Sequence, residues 1–201
     1  MREPMMRSTF LAASLAALLL GGCGTSPDTR FYVLSAAQEP VRALAGQERE
    51  IALGVGPVEL PEYLDRPQIV TRTGQNELQL AEFDKWAASL KDSVTQVLAE
   101  NLATRLPSRK VVTYPWKRSA QVDYQLVVKV IRFEGSGGEA VLNVRWSVVS
   151  GDGKTELLVR ESSYAEPAAG TDYRATVAAM SRALARFSRD VAEAVRGLSR
   201  G

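Results

Sequence analysis

Hydrophobic residues recur along this chain in three different rhythms, and each rhythm predicts a different element. The first is a dense apolar run, Phe10 to Leu20 (FLAASLAALLL), 11 residues long. A bilayer core needs ~20 such residues to be crossed, so the run has the length of a signal-peptide hydrophobic region instead. The second rhythm has a period of two. Phe31–Leu34 is aromatic and β-branched, and Ile51, Leu53 and Val55 alternate toward Gly56-Pro57. Each reads as a strand. Pro57, Pro61 and Pro67 then punctuate a structured loop with room for one helical turn. Gln68–Arg72 and Asn76–Ala81 read as a hairpin around Thr73-Gly74-Gln75. Further on, Tyr124–Phe133, Ala140–Val149 and Thr155–Tyr164 form an antiparallel meander, joined by glycine-rich turns. In its middle strand Leu142, Val144, Trp146 and Val148 share one face.

The third rhythm recurs at three and four residues. Trp86, Leu90, Val94, Val97, Leu98, Leu102 and Leu106 predict an amphipathic helix with Asp84 as N-cap and Pro107 as its stop. Tyr173, Val177, Met180, Leu184, Phe187, Val191, Val195 and Leu198 predict a second, capped by Thr171 or Asp172. Lys110–Thr113 is a short strand between them, and residues 36–49 read as loop. The expected fold is α+β: a largely antiparallel sheet with two long amphipathic helices packed on one face.

The apolar run gains its meaning from what flanks it. Arg2 and Arg7 precede it, and Leu20-Gly21-Gly22-Cys23 follows, which reads as a lipobox. Small residues before the cysteine let the backbone lie extended in a peptidase cleft, and the thiol accepts a diacylglycerol. The expected organisation is therefore a cleaved signal peptide at 1–22, a lipidated tether at 23–30 and a single periplasmic domain at 31–201. Acyl chains on Cys23 would give stable membrane attachment. Gly24 at the following position lacks the aspartate that favours inner-membrane retention, which points to the outer membrane.

Composition then removes alternatives. The chain has no histidine, and Cys23 is its one cysteine. The commonest general base and metal ligand are thus missing. Gly151–Thr155 falls short of a phosphate loop because residue 148 is Val148, not glycine. No catalytic residues, metal site or cofactor are expected. Of 25 basic and 23 acidic side chains, loss of Arg2, Arg7 and Glu3 with the leader leaves 23 against 22. That balance gives no support to nucleic-acid binding.

Two surface features remain. Arg182, Arg186, Arg189, Arg196 and Arg200 fall on the polar side of the last helix, either as a solvated face or against anionic headgroups or an acidic partner. The Pro57–Pro67 loop carries Tyr63, Leu64, Asp65 and Arg66. It either packs under the sheet or presents an edge to a partner.

Several segments together resemble a known family: FYVL at 31–34, the run from Ile51 through GPVELPEYLDRPQIVTR, AEFDKWAASL at 81–90, LAENLATRLP at 98–107, YPW at 114–116, DYQLVVKVIRFEG at 123–135 and MSRAL at 180–184. In this order they resemble the ABC-type transport auxiliary lipoproteins, the PqiC/YmbA group. The resemblance implies an adaptor anchored through Cys23 on the periplasmic face of the outer membrane. Its implied partners are an MCE-domain protein and the associated permease, in a system moving lipids or other hydrophobic molecules between membranes. It also implies a homo-oligomeric ring, built from heterologous contacts that close. A lipoprotein that binds lipid on its own is the competing expectation.

Overall fold

The structure, a computed structural model, describes residues 27–38, 50–106, 108–117 and 119–199. The leader, Cys23, Gly24, most of the 36–49 loop, Pro107 and Arg200 lie outside the described residues. Eight strands form one sheet: β1 (Arg30–Tyr32), β2 (Ile51–Glu59), β3 (Gln68–Gly74), β4 (Glu77–Trp86), β5 (Ser108–Thr113), β6 (Tyr124–Ser136), β7 (Glu139–Ser150) and β8 (Glu156–Pro167). Helices α1 (Leu90–Arg105) and α2 (Tyr173–Ser199) pack on one face, as the pattern predicts.

β6 is the spine of the sheet. One edge pairs antiparallel with β7 over its whole length, and β7 pairs antiparallel with β8. The other edge is shared. Its first half takes β2 in parallel, from Leu53↔Tyr124 to Glu59↔Lys129, and its last residues take β3, at Thr71↔Gly135 and Arg72↔Ser136. The β6–β7 register shifts between Val130 and Arg132, so Ile131 is bulged where the second edge changes partner. A bulge bends its strand and re-aims the side chains beyond it. β5 extends the sheet beyond β2 in parallel, β4 pairs antiparallel with β3, and β1 adds in parallel to β4. The longest ladders are antiparallel; the parallel ones bring in the shorter strands.

The core lies between this sheet and the helices. Leu142, Val144, Trp146 and Val148 are buried on the predicted face of β7, against Met180, Leu184, Phe187 and Val191 of α2. Phe187 meets the Trp146 ring edge-on at 5.8 Å and lies 6.0 Å from Tyr164. Each such side chain contributes roughly 1.5–3 kcal/mol by leaving water. Asp172 caps α2, accepting from the Ala175 N–H at 2.8 Å.

Two boundaries differ from expectation. β2 does not end at Gly56-Pro57 but continues to Glu59. Its ladder to β6 passes from Val55↔Leu126 directly to Val58↔Val128, so Pro57 sits in a bulge where its missing N–H breaks no pairing. The first helix starts not at Trp86 but at Leu90. Ser89 is its N-cap, and Trp86 is the last residue of β4. Asp84 is therefore a strand residue and caps nothing. The predicted helical turn in the proline loop is present as a 3-10 turn at Glu62–Leu64. No helix among the described residues is long and apolar enough to cross a membrane.

Candidate functional site

The segment from Arg30 to Ala37 is fastened to the rest of the domain at three points. At the first, Asp84 is 5% exposed and accepts from both Arg30 and Tyr32. The Arg30 guanidinium donates at 2.9 and 3.0 Å, and the Tyr32 hydroxyl at 2.6 Å. The hydrogen bond to Asp84 raises the Arg30 pKa; burial, then the same carboxylate, raises that of Tyr32. At the second point, the Ser35 N–H donates to Ser181 Oγ of α2 at 3.1 Å. At the third, the Ala37 N–H donates to Asn101 Oδ1 of α1 at 2.8 Å. Asn101 passes the connection on to Ser188 of α2 at 3.2 Å, both side chains being buried. Extended backbone alternates its side chains between faces. Tyr32 and Leu34 accordingly turn inward, while Phe31 and Val33 are left 65% and 59% exposed.

Between this segment and α2 runs an open groove of about 930 Å³. Phe31 and Val33 line one side, and Ala178 and Ala185 lie on the helix between Arg174, Arg182, Arg186 and Arg189. Three of the predicted arginines, Arg182, Arg186 and Arg189, thus come together here. Arg196 points elsewhere, donating to the Arg105 carbonyl at 3.5 Å. Glu166 holds two of the groove arginines, Arg182 at 3.5 Å and Arg186 at 2.8 Å. Arg182 also donates to the Pro167 carbonyl, and Arg186 lies 5.6 Å over the Tyr164 ring. Arg174 and Arg189 are exposed and have no hydrogen bond or ion pair among the described residues. Sequence reasoning passed over Arg174, because the arginine spacing counts from 182. It also missed Phe31 and Val33, which read as strand interior.

The proline loop places its four candidate residues differently. Leu64 is 2% exposed and belongs to the core. Tyr63 packs inward and donates its hydroxyl to Glu134 Oε2 at 2.7 Å. Asp65 is exposed, and Arg66 is half-buried with its Nε lacking a partner. Glu134 is wholly buried in β6 and also accepts from Arg72 at 2.7 Å and Arg132 at 3.1 Å. Burial alone would raise its pKa. The hydrogen bonds from Tyr63, Arg72 and Arg132 outweigh that and hold it below the ordinary carboxylate range. Burial and the bond to Glu134 push the Tyr63 phenol up to about 12. Glu134 escaped sequence reasoning for a geometric reason. The bulge at Ile131 turns Phe133, opposite Leu142, to the core face, so Glu134 lies on the other face, where Tyr63 and Arg72 from a distant part of the chain meet it.

In the middle of β2, the six-membered ring of Trp116 packs against Gly54. A Cβ there would come within 2.6 Å of the indole ring, so only glycine fits beneath it. Among the described residues no group of His, Cys, Asp and Glu is arranged to hold a metal ion.

A profile of the family described as the ABC-type transport auxiliary lipoprotein component matches residues 32–192, nearly all of the described fold. The chain belongs to this family. The auxiliary lipoproteins PqiC of Escherichia coli K12 and of Shigella flexneri, named as intermembrane transport lipoproteins, are each 28% identical to it over 135 residues. That alignment covers 66% of this chain and 70% of either relative. A crystal structure from Xanthomonas campestris superposes with a TM-score of 0.70 at 20% identity, covering 84% of this chain and 97% of the other. At that identity the likeness is one of fold. As an auxiliary component, the protein is not an enzyme.

The segments that carried the auxiliary-lipoprotein resemblance meet in the structure. Tyr63 and Arg72 from the 51–72 run converge on Glu134 of the 123–135 run. Trp116 of YPW seats on Gly54. Asp84 of the 81–90 segment clamps Tyr32 of FYVL, and Ser181 of MSRAL holds Ser35.

Proposed function

We propose that the protein is a lipid-anchored adaptor on the periplasmic face of the outer membrane, serving an MCE/ABC-type envelope transport system. The observation that carries this reading is the family match over residues 32–192, which begins only a few residues beyond the lipobox cysteine. On this reading residues 1–22 are removed, Cys23 is acylated, residues 23–30 are a tether and residues 31–201 are one periplasmic domain. The relatives named for intermembrane transport support a role in carrying lipids or other hydrophobic molecules between membranes.

The partners are an MCE-domain protein and its permease, with several copies of the chain closing into a ring. The domain has two surfaces free to make contacts. One is the proline loop, where Asp65 and Arg66 reach solvent on a turn that Tyr63 and Leu64 hold in place. The other is the arginine groove, with Arg182, Arg186 and Arg189. The geometry favours binding over chemistry: the buried carboxylates Glu134 and Asp84 are each saturated by internal donors.

Crosslinking in intact cells, followed by purification of the acylated protein, tests the reading. An MCE-domain protein is the expected companion, and its repeated absence would remove the adaptor role. Replacing Cys23 by Ser is expected to release the protein from the membrane fraction.

A further inference from the structure

We infer that the groove between Phe31–Val33 and α2 is the face laid against the bilayer, where its free arginines take anionic phospholipid headgroups. The inference rests on the reading of Cys23 as the anchor and adds the surface through which the domain itself touches lipid.

The charge is segregated. The chain after the leader is almost neutral, yet this groove gathers Arg174, Arg182, Arg186 and Arg189 against one lining carboxylate among the described residues, Glu166, with Asp190 also close enough to act on Arg186. Glu166 satisfies the middle two and leaves Arg174 and Arg189 without an internal acceptor among the described residues. Guanidinium groups suit phosphate oxygens, to which they donate two bonds at once.

The apolar side points the same way. Phe31 and Val33 stand in solvent because the inward positions of the segment are already taken by Tyr32 and Leu34. An exposed aromatic beside a stripe of basic residues is the composition of an interfacial contact, with the ring at headgroup depth and the cations on phosphate.

Chain length selects a membrane over a soluble acidic partner. Arg30 lies seven residue steps beyond Cys23. At ~3.3–3.6 Å per residue they reach roughly 25 Å when fully extended. The wall carrying Phe31 is thus the part of the domain kept nearest the acylated cysteine. The Asp84 clamp fixes that wall to the sheet, and the Ser35–Ser181 and Ala37–Asn101 bonds tie it to the helices.

The test uses the mature chain with Cys23→Ser, so that no acyl chain contributes, sedimented with phosphatidylcholine vesicles with or without phosphatidylglycerol. Binding is expected only where phosphatidylglycerol is present, and it should weaken as salt rises. The double variant Arg174→Gln/Arg189→Gln is expected to bind about tenfold more weakly or worse, with an unchanged melting curve. Phe31→Ser/Val33→Ser should weaken binding at high salt, where the electrostatic part is screened. Equal binding to neutral vesicles would overturn the inference, as would full binding by the arginine variant. So would self-association without lipid that the same arginine variant abolishes, since the groove would then face a second copy. Failure of the anchor reads out separately, as the absence of an acyl mass on Cys23 in cells.

Discussion

At Glu134 three donors converge on one carboxylate that water does not reach, whereas along α2 four arginines stand in water and only two of them are bonded to Glu166. Both sites are basic clusters, and each includes residues that were candidates for meeting a partner, Tyr63 in the first and Arg182, Arg186 and Arg189 in the second. The difference is stoichiometry. In the first both arginines and the phenol are bonded to the carboxylate, and the result is a junction between the proline loop, β3 and β6. In the second the charge is in excess and solvated, so it remains available. Arginine content alone does not separate a structural cluster from a recognition surface; the count of buried acceptors does.

The sharpest way to break this contrast is Glu134→Ala. It leaves Arg72, Arg132 and Tyr63 without their common acceptor, and removing one partner of a buried ionic cluster costs about 3–5 kcal/mol. Urea unfolding should show that loss, and membrane recruitment of the protein that remains folded should be unchanged. Tyr63→Phe removes one bond from the same carboxylate and is expected to cost about 1–3 kcal/mol by the same measurement.

pH probes the cluster without mutation. Because the Glu134 pKa is depressed, its contribution to stability is complete above the ordinary carboxylate range and is lost as pH falls through the depressed value. Tyr63 behaves oppositely. Its pKa is raised from 10.0 to about 12, so its contribution is intact below 10.0 and disappears as pH rises toward 12. A stability profile in which Tyr63→Phe flattens the alkaline limb would confirm the assignment; an unchanged limb would refute it. The smallest effect belongs to the open site. Arg174→Gln and Arg189→Gln should each move stability by less than about 0.5 kcal/mol, so any loss in vesicle binding cannot be blamed on unfolding.

The α+β class, the hairpin, the meander and the last helix were legible because each rests on local periodicity. What escaped depended on distant residues. Trp86 lies four residues before Leu90, a helical spacing, and only its pairing with distant backbone, in β1 and at Pro67, shows that it ends a strand. Asp84 looked like a cap because its true partners, Arg30 and Tyr32, are more than fifty positions away. Pro57 looked like a terminator, since a bulge that tolerates proline leaves no mark in composition. At the candidate site the helical arginines were visible from their spacing. The groove was not, because its other wall comes from the opposite end of the chain.

One feature of that wall has a mechanical side. Under the proposed anchoring through Cys23, a pull on the domain by its partner would enter at Arg30. Tension along the tether meets the Arg30–Asp84 clamp and the three-residue ladder of β1 before it reaches Ser181 on α2 or Asn101 on α1. These attachments lie in series, so force is taken first by the sheet and only afterwards by the helices, of which α2 lines the groove. A strand of three residues is a short fastening, and the buried carboxylate at its root is what keeps it from peeling.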